Sequence, residues 1–222
     1  MKKTILNCLA LSALFLSCNK QPSTTPPVVN ADTTPPVMLL SGNTKDTVSL
    51  NAPYIDAGAI ATDNIDGNIT AQIVVSGNLN VNQTGDYVRN YNVSDLAGNA
   101  APQLTRQIHV RNDAWFLAGN YAVAPNCGLT PASNYNTSIS VSSTINRQIA
   151  FGFLLNNSTG QTPVGALAIN NSSISLVPMS GNGSTFSGSG QIVSPGVISL
   201  GTAISMPGTI GSYYCTSQMI KQ

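Results

Sequence analysis

Between residues 35 and 111 apolar side chains recur at every second position, in runs too short for helices. Residues 37–40 and 47–50 are brief extended stretches. Ile69, Ala71, Ile73 and Val75 alternate with polar or smaller neighbours, which predicts a strand over 69–75. Tyr87, Tyr91 and Val93 share one face of the next run, and Val88, Asn90 and Asn92 share the other. Leu104, Ile108 and Val110 mark a last strand. A period of two sends alternate side chains to opposite faces of a sheet. With Gly and Asx turns between the runs, the pattern predicts an all-β sandwich.

The same period continues in residues 114–222. Strand candidates lie at 120–123, 137–142, 148–154, 166–170, 174–177, 185–192, 197–203 and 212–219, with Asn- and Gly-rich turns between them. Eight short strands at near-even spacing predict a small antiparallel barrel or sandwich. Its lining would include Phe151, Phe153 and Leu167. A barrel of this size is either filled by such side chains or holds one small ligand.

The first residues follow another rule. Met1-Lys2-Lys3 precedes an apolar run from Ile5 to Leu16, then Ser17-Cys18. The run is too short to span a bilayer. Phe15-Leu16-Ser17-Cys18 resembles the lipobox of a bacterial lipoprotein signal, with Phe15 where Leu is usual. The resemblance implies removal of residues 1–17 and acylation of Cys18. An ordinary secretory signal with an incidental cysteine is the alternative. "NKQPSTTPPVVNADTTPP" follows, and its proline pairs make residues 18–34 a semi-stiff tether. The expected location is the cell envelope, as an outer-membrane lipoprotein on either the periplasmic or the outer side, with the lipid as its membrane contact.

Composition narrows the function. Charged residues are 8% of the chain, too few for the basic stripe of a nucleic-acid binder. Residues 114–222 contain no Asp, Glu or His, and their only charges are Arg147 and Lys221. Acid–base catalysis needs a group that titrates near neutrality, and a serine nucleophile needs a base. The expectation is therefore no enzyme and no catalytic residues. His109, the single histidine, is expected to face solvent between Ile108 and Val110. Trp115, the single tryptophan, lies at the junction of the two modules and is expected to pack there.

Cys8 leaves with the leader and Cys18 takes the lipid, so Cys127 and Cys215 remain in an oxidising compartment. A bond between them would close a loop of about 88 residues, worth roughly 4–5 kcal/mol in the chain-entropy model. Two buried free thiols are the alternative.

"PPVMLLSG", "APYIDAGAIATDNIDGNIT", "TGDYVRNYNVSDLAGNAA" and "TRQIHV", in that order, resemble the bacterial Ig-like domain named after a pesticidal crystal protein, a relative of the hyalin repeat. The resemblance implies an Ig-like sandwich over residues 35–111 used as a spacer or adhesion module. Arg89 departs from it, standing where the family has an apolar residue. "LAGNYAVAPNC" and "TFSGSGQI" loosely resemble lipocalin-like modules of Gram-negative surface lipoproteins.

"ATDNIDGNIT", residues 61–70, has the look of a calcium loop. Set on an EF-hand, however, it places Thr62 at the first position and Ile73 at the twelfth, where Asp and a bidentate Glu belong. Calcium would need carboxylates from afar, with Asp56, Asp63, Asp66 and Asp95 as the candidates. The favoured reading is that these side chains brace turns through backbone N–H groups, with Arg106 able to neutralise one carboxylate, and no metal is expected. The expected function is a lipid-anchored envelope protein with an adhesive, scaffolding or ligand-presenting role. The alternative is a binding protein whose barrel holds a small lipid or glycan, and a protein partner is equally open.

Overall fold

The computed structural model describes residues 31–127, 133–152, 164–168, 170, 172–181, 184–205 and 212–222. Residues 33–222 form one compact unit, and within it two sets of strands stand apart.

The first set is a two-sheet sandwich. β1 (Val37–Leu40), β3 (Ala59–Asp63) and β4 (Gly67–Asn68) form one sheet, with Val37 opposite Thr62 and Leu40 opposite Ala59. β2 (Lys45–Ser49), β7 (Leu104–Arg111), β6 (Gly85–Asn92) and β5 (Val74–Ser76) form the other, in that order. Between Leu40 and Lys45 the chain crosses from the first sheet to the second. There β2 pairs in parallel with β7, from Lys45 opposite Gln107 to Ser49 opposite Arg111. All other strand pairings described are antiparallel.

Alternation decides what is buried. Met38, Ala61, Ile69, Tyr91, Val93 and Ala101 pack as one cluster, and Val48, Leu50, Ile108 and Val110 as another. Val37, Leu39 and Val88 point outward. Full burial of each aliphatic side chain contributes about 1.5–3 kcal/mol.

The strand expected over 69–75 forms only at its end. Residues Thr70–Gln72 make a 3₁₀ turn, and β5 begins at Val74. Thr70 explains the difference. Its hydroxyl accepts the Ala61 N–H at 3.0 Å and donates to the Ala61 carbonyl, while its N–H is taken by Asn68 Oδ1 at 3.0 Å. These bonds hold the chain against β3 and curl it before it can pair. Ile69 is still buried, but Val75 is exposed.

The second set is a closed barrel. β8 (Gly119–Cys127), β9 (Tyr135–Val141), β10 (Gln148–Phe151), β11 (Val164–Ala168) and β12 (Ser173–Leu176) follow one another as neighbours. On its other edge β8 pairs with β16 (Ser212–Lys221), which pairs with β15 (Val197–Ser205), then β14 (Ser184–Ser194). β14 closes the ring on β12, with Ile174 opposite Gly190, and also carries the short β13 (Met179–Gly181). All eight strands expected from the pattern are present.

A 3₁₀ turn at Trp115–Leu117 leads into β8 and buries Leu117 completely. Tyr121 donates its hydroxyl to the Leu117 carbonyl at 2.9 Å, and Lys221 Nζ donates to the Phe116 carbonyl at 3.1 Å. Leu117, Tyr121, Val123, Ile139, Ile149, Phe151, Ala166, Ile174, Leu176, Ile198, Leu200 and Met219 make one continuous apolar core. These side chains pack against one another between the described strands. Phe151 is part of this packing; Phe153 and the Leu167 side chain lie outside the described residues.

Candidate functional site

The acidic loops occupy one pole of the sandwich. β3 and β4 are joined by a tight turn that begins at Asp63 and needs Gly67 at φ 69°. Asp63 Oδ2 accepts the N–H groups of Ile65 at 2.8 Å and Asp66 at 3.1 Å. Those two bonds hold its carboxyl below the ordinary carboxylate range. Asp66 Oδ2 reaches across to the next loop and accepts the Leu96 N–H at 2.7 Å. Asp95, 7% exposed, accepts from the Asn99 N–H at 2.7 Å and from Asn99 Nδ2 at 2.8 Å. Each of the three thus braces backbone.

Carboxylate oxygens of Asp63 and Asp95 come within 4.8 Å of one another, and Asp63 Oδ1 is buried without a hydrogen-bond donor. Asp56 does not join them. It stands instead beside Arg106, so the four calcium candidates do not converge on one point.

Arg106 is the residue that sequence reasoning undervalued. It follows the inward face of β7 between Leu104 and Ile108 and is fully buried. Its guanidinium donates to the carbonyls of Ser41, Asn43 and Gly58 and to Asp56, under the Tyr91 ring. All three nitrogens of the fork donate, in four bonds, which is what makes a buried cation tolerable. Asp56 also accepts the Gly58 N–H at 2.9 Å and the Tyr91 hydroxyl at 2.7 Å. Burial alone would raise its carboxyl, but the Gly58 N–H, the Tyr91 hydroxyl, Arg106 and Arg89 together hold it below its usual value. Arg89, the residue out of keeping with the family pattern, lies 3.6 Å from Asp56 and completes this cluster. Burial and the bond to Asp56 push the Tyr91 hydroxyl up to about 12. The signal for the cluster was an arginine at an apolar position of a strand.

His109 is half exposed and pairs with Asp86 across β6 and β7 at 2.7 Å. Trp115 is half exposed as well, with the Arg111 guanidinium 4.6 Å from its ring centre. Tyr214 is exposed on β16.

Cys127 and Cys215 are bonded. They stand directly opposite each other on β8 and β16, with Cα atoms 4.3 Å apart. Among the described residues, two of the barrel's clefts are open to solvent. One, of about 520 Å³, is bordered by Ser140, Ser142, Gln148 and Val177. The other, of about 300 Å³, is bordered by Asn134, Asn136, Gln218 and Ile220.

Solved structures of low identity align with this chain. A lipoprotein of Bacteroides thetaiotaomicron is 18% identical with a TM-score of 0.35, over 84% of this chain and 100% of that one. A protein of unknown function from Bacteroides ovatus is 13% identical with a TM-score of 0.39, over 79% of this chain and 72% of that one. At these scores the overlaps carry no functional argument. Among curated proteins none matches the chain. The family comparison is more specific, and it falls on the sandwich alone: residues 38–110 match the model of the Ig-like domain of bacterial surface proteins.

Proposed function

We propose that this chain is a lipid-anchored protein of the bacterial cell envelope, without catalytic activity, in which the Ig-like module carries the barrel as a display platform. The supporting observation is the direction of the sandwich. The tether enters β1 at Val37, beside Thr62 and the acidic pole. The barrel follows β7 at the opposite pole, where Ser49 and Arg111 lie side by side. A module entered at one end and left at the other acts as a spacer. The match of residues 38–110 to a surface-protein domain accords with this reading.

The packed apolar core weighs against a lipid or glycan held inside the barrel, because such a ligand would have to displace Phe151, Ile149 and Leu200. A glycan, lipid or protein partner would instead meet the open clefts, where serine, asparagine and glutamine stand beside apolar residues such as Val177, Tyr135 and Ile220.

Membrane fractionation tests the reading. The native chain should partition with membranes and carry an acylated Cys18 by mass spectrometry. Cys18→Ser should release it to the soluble fraction. A Cys18→Ser protein that stays with the membrane would sink the anchor. Serine-dependent turnover in a purified sample would sink the non-catalytic role.

A further inference from the structure

The two modules are joined by more than a linker. Asn112, 1% exposed, sits between β7 and the Trp115–Leu117 turn. Its Nδ2 donates to the carbonyls of Ser142 at 2.9 Å and Ile145 at 3.0 Å. Its Oδ1 accepts the N–H groups of Ala114 at 2.9 Å and Arg147 at 2.9 Å. A buried amide with both donors and both acceptors engaged is costly to disturb, since any loosening leaves a buried polar group unpaired.

Ser142, Ile145 and Arg147 belong to the loop between β9 and β10, which the Ig-like module grips from two further sides. Thr84 N–H donates to the Ser143 carbonyl at 2.8 Å, and Asn51 Nδ2 donates to the Thr144 carbonyl at 3.1 Å. Asp113 and Asn146 exchange two bonds, Asp113 N–H to Asn146 Oδ1 at 2.8 Å and Asn146 Nδ2 to Asp113 Oδ2 at 3.0 Å. Four consecutive residues of one loop, 142 to 145, therefore offer carbonyls to three separate segments of the neighbouring module.

The backbone carries a second, independent mark. Among the described residues only Asn51 and Arg147 hold a left-handed φ without being glycine, at 66° and 62°. Both lie at this joint. Such a conformation costs energy for an arginine and persists where surrounding contacts over-determine it.

We infer that Asn112 and the 142–147 loop lock the barrel to the Ig-like module in one orientation, so that the two behave as a single rigid body. Modules that meet only through a linker and a small interface move relative to each other by default. Here a saturated amide, an amide–carboxylate pair and two left-handed residues remove that freedom. The inference concerns the chain's own contacts and stands apart from its anchoring.

The test uses spin labels at Gln107→Cys on the sandwich and Thr216→Cys on the barrel, both exposed positions, in the oxidised chain without its leader. The unmodified joint should give one narrow distance distribution and one calorimetric transition. Asn112→Ala should broaden the distances and split the transition in two. Asn51→Gly keeps the left-handed backbone available and removes only the amide bond to Thr144, so it should broaden the distances while both modules stay folded. A broad distribution with the joint intact would overturn the inference. So would a distribution that stays narrow in Asn51→Gly and in whatever folded Asn112→Ala protein is recovered.

Discussion

Asp66 Oδ2 accepts the backbone N–H of Leu96 at 2.7 Å, and so ties together two loops that lie thirty residues apart in the chain. The bond joins the β3–β4 turn to the loop that follows β6. It makes Asp66 a strut between loops, and the pole keeps its shape through it.

Asp66→Ala should therefore lower the melting temperature by a few degrees, in line with about 1 kcal/mol for a lost charge-assisted bond at a partly exposed site. The loss should be equal in millimolar calcium and in chelator. A cost that appears only with calcium present would mean that Asp66 serves an ion.

Arg106→Met should be among the most disruptive single changes. It strips Asp56 of its buried cation and leaves the Ser41, Asn43 and Gly58 carbonyls short of a donor. Removing one partner of a buried pair costs about 3 kcal/mol or more. Denaturant unfolding of the variant should show the midpoint falling accordingly, while Arg89→Met, at the rim, should cost less.

Stability should form a plateau in pH. Asp56 and Asp113 are both held below their ordinary value, despite burial that opposes the shift, by hydrogen bonds and nearby arginines. A depressed carboxyl contributes stability that is present above the unfolded value of 3.8 and is lost as pH falls through the lower folded one. Tyr91 and Tyr135, each pushed up to about 12 with burial as the chief cause, act at the other end. Their contribution is complete below the unfolded value of 10.0 and lost as pH rises towards 12. Melting temperatures should be flat between these limits. A steep change near pH 7 would contradict the assignment.

Gly188→Ala should damage the barrel. A Cβ there would collide with the Gly201 carbonyl across β14 and β15 and press on Leu176 at 3.1 Å. Overpacking of this kind costs about 1–3 kcal/mol. Circular dichroism melts should show the loss, and Ser189→Ala, on the neighbouring position of the strand, should show little.

Reduction should weaken the barrel as well. The Cys127–Cys215 bond links the strand that begins the ring to the strand that ends the chain, and its removal is expected to cost about 2–4 kcal/mol. Non-reducing peptide mapping should recover the two cysteines joined. If the joint is rigid, the change should be felt in the melting of the whole folded chain and not in the barrel alone.

Periodicity made most of the fold legible. The alternation of Tyr87, Tyr91 and Val93 named the inward face of β6, and the eight strand candidates of the second half match the eight strands of the ring. What escaped notice depends on side chains bonding to backbone far away. Thr70 curls the segment after β4 through bonds to Ala61, and no local pattern announces that. Arg106 was legible as a partner for one carboxylate, but its carbonyl partners come from residues 41, 43 and 58, which no local pattern marks. Asn112 stands in an ordinary-looking "RND" stretch, and its partners are about thirty residues downstream. The acidic candidates were visible one by one. That Asp63, Asp66 and Asp95 share one pole while Asp56 stands apart beside Arg106 depends on where each loop reaches in the folded sandwich.

The parallel pairing of β2 with β7 has a mechanical meaning. A pull on the N-terminal segment would enter through β1 and reach β2 next, and the barrel's resistance would reach β7. The two strands run in the same direction but would be drawn in opposite senses, so their ladder from Lys45 to Ser49 is loaded in shear, with all its bonds sharing the force at once. Flow or traction on the barrel would have to break that ladder as a set before β2 could part from β7.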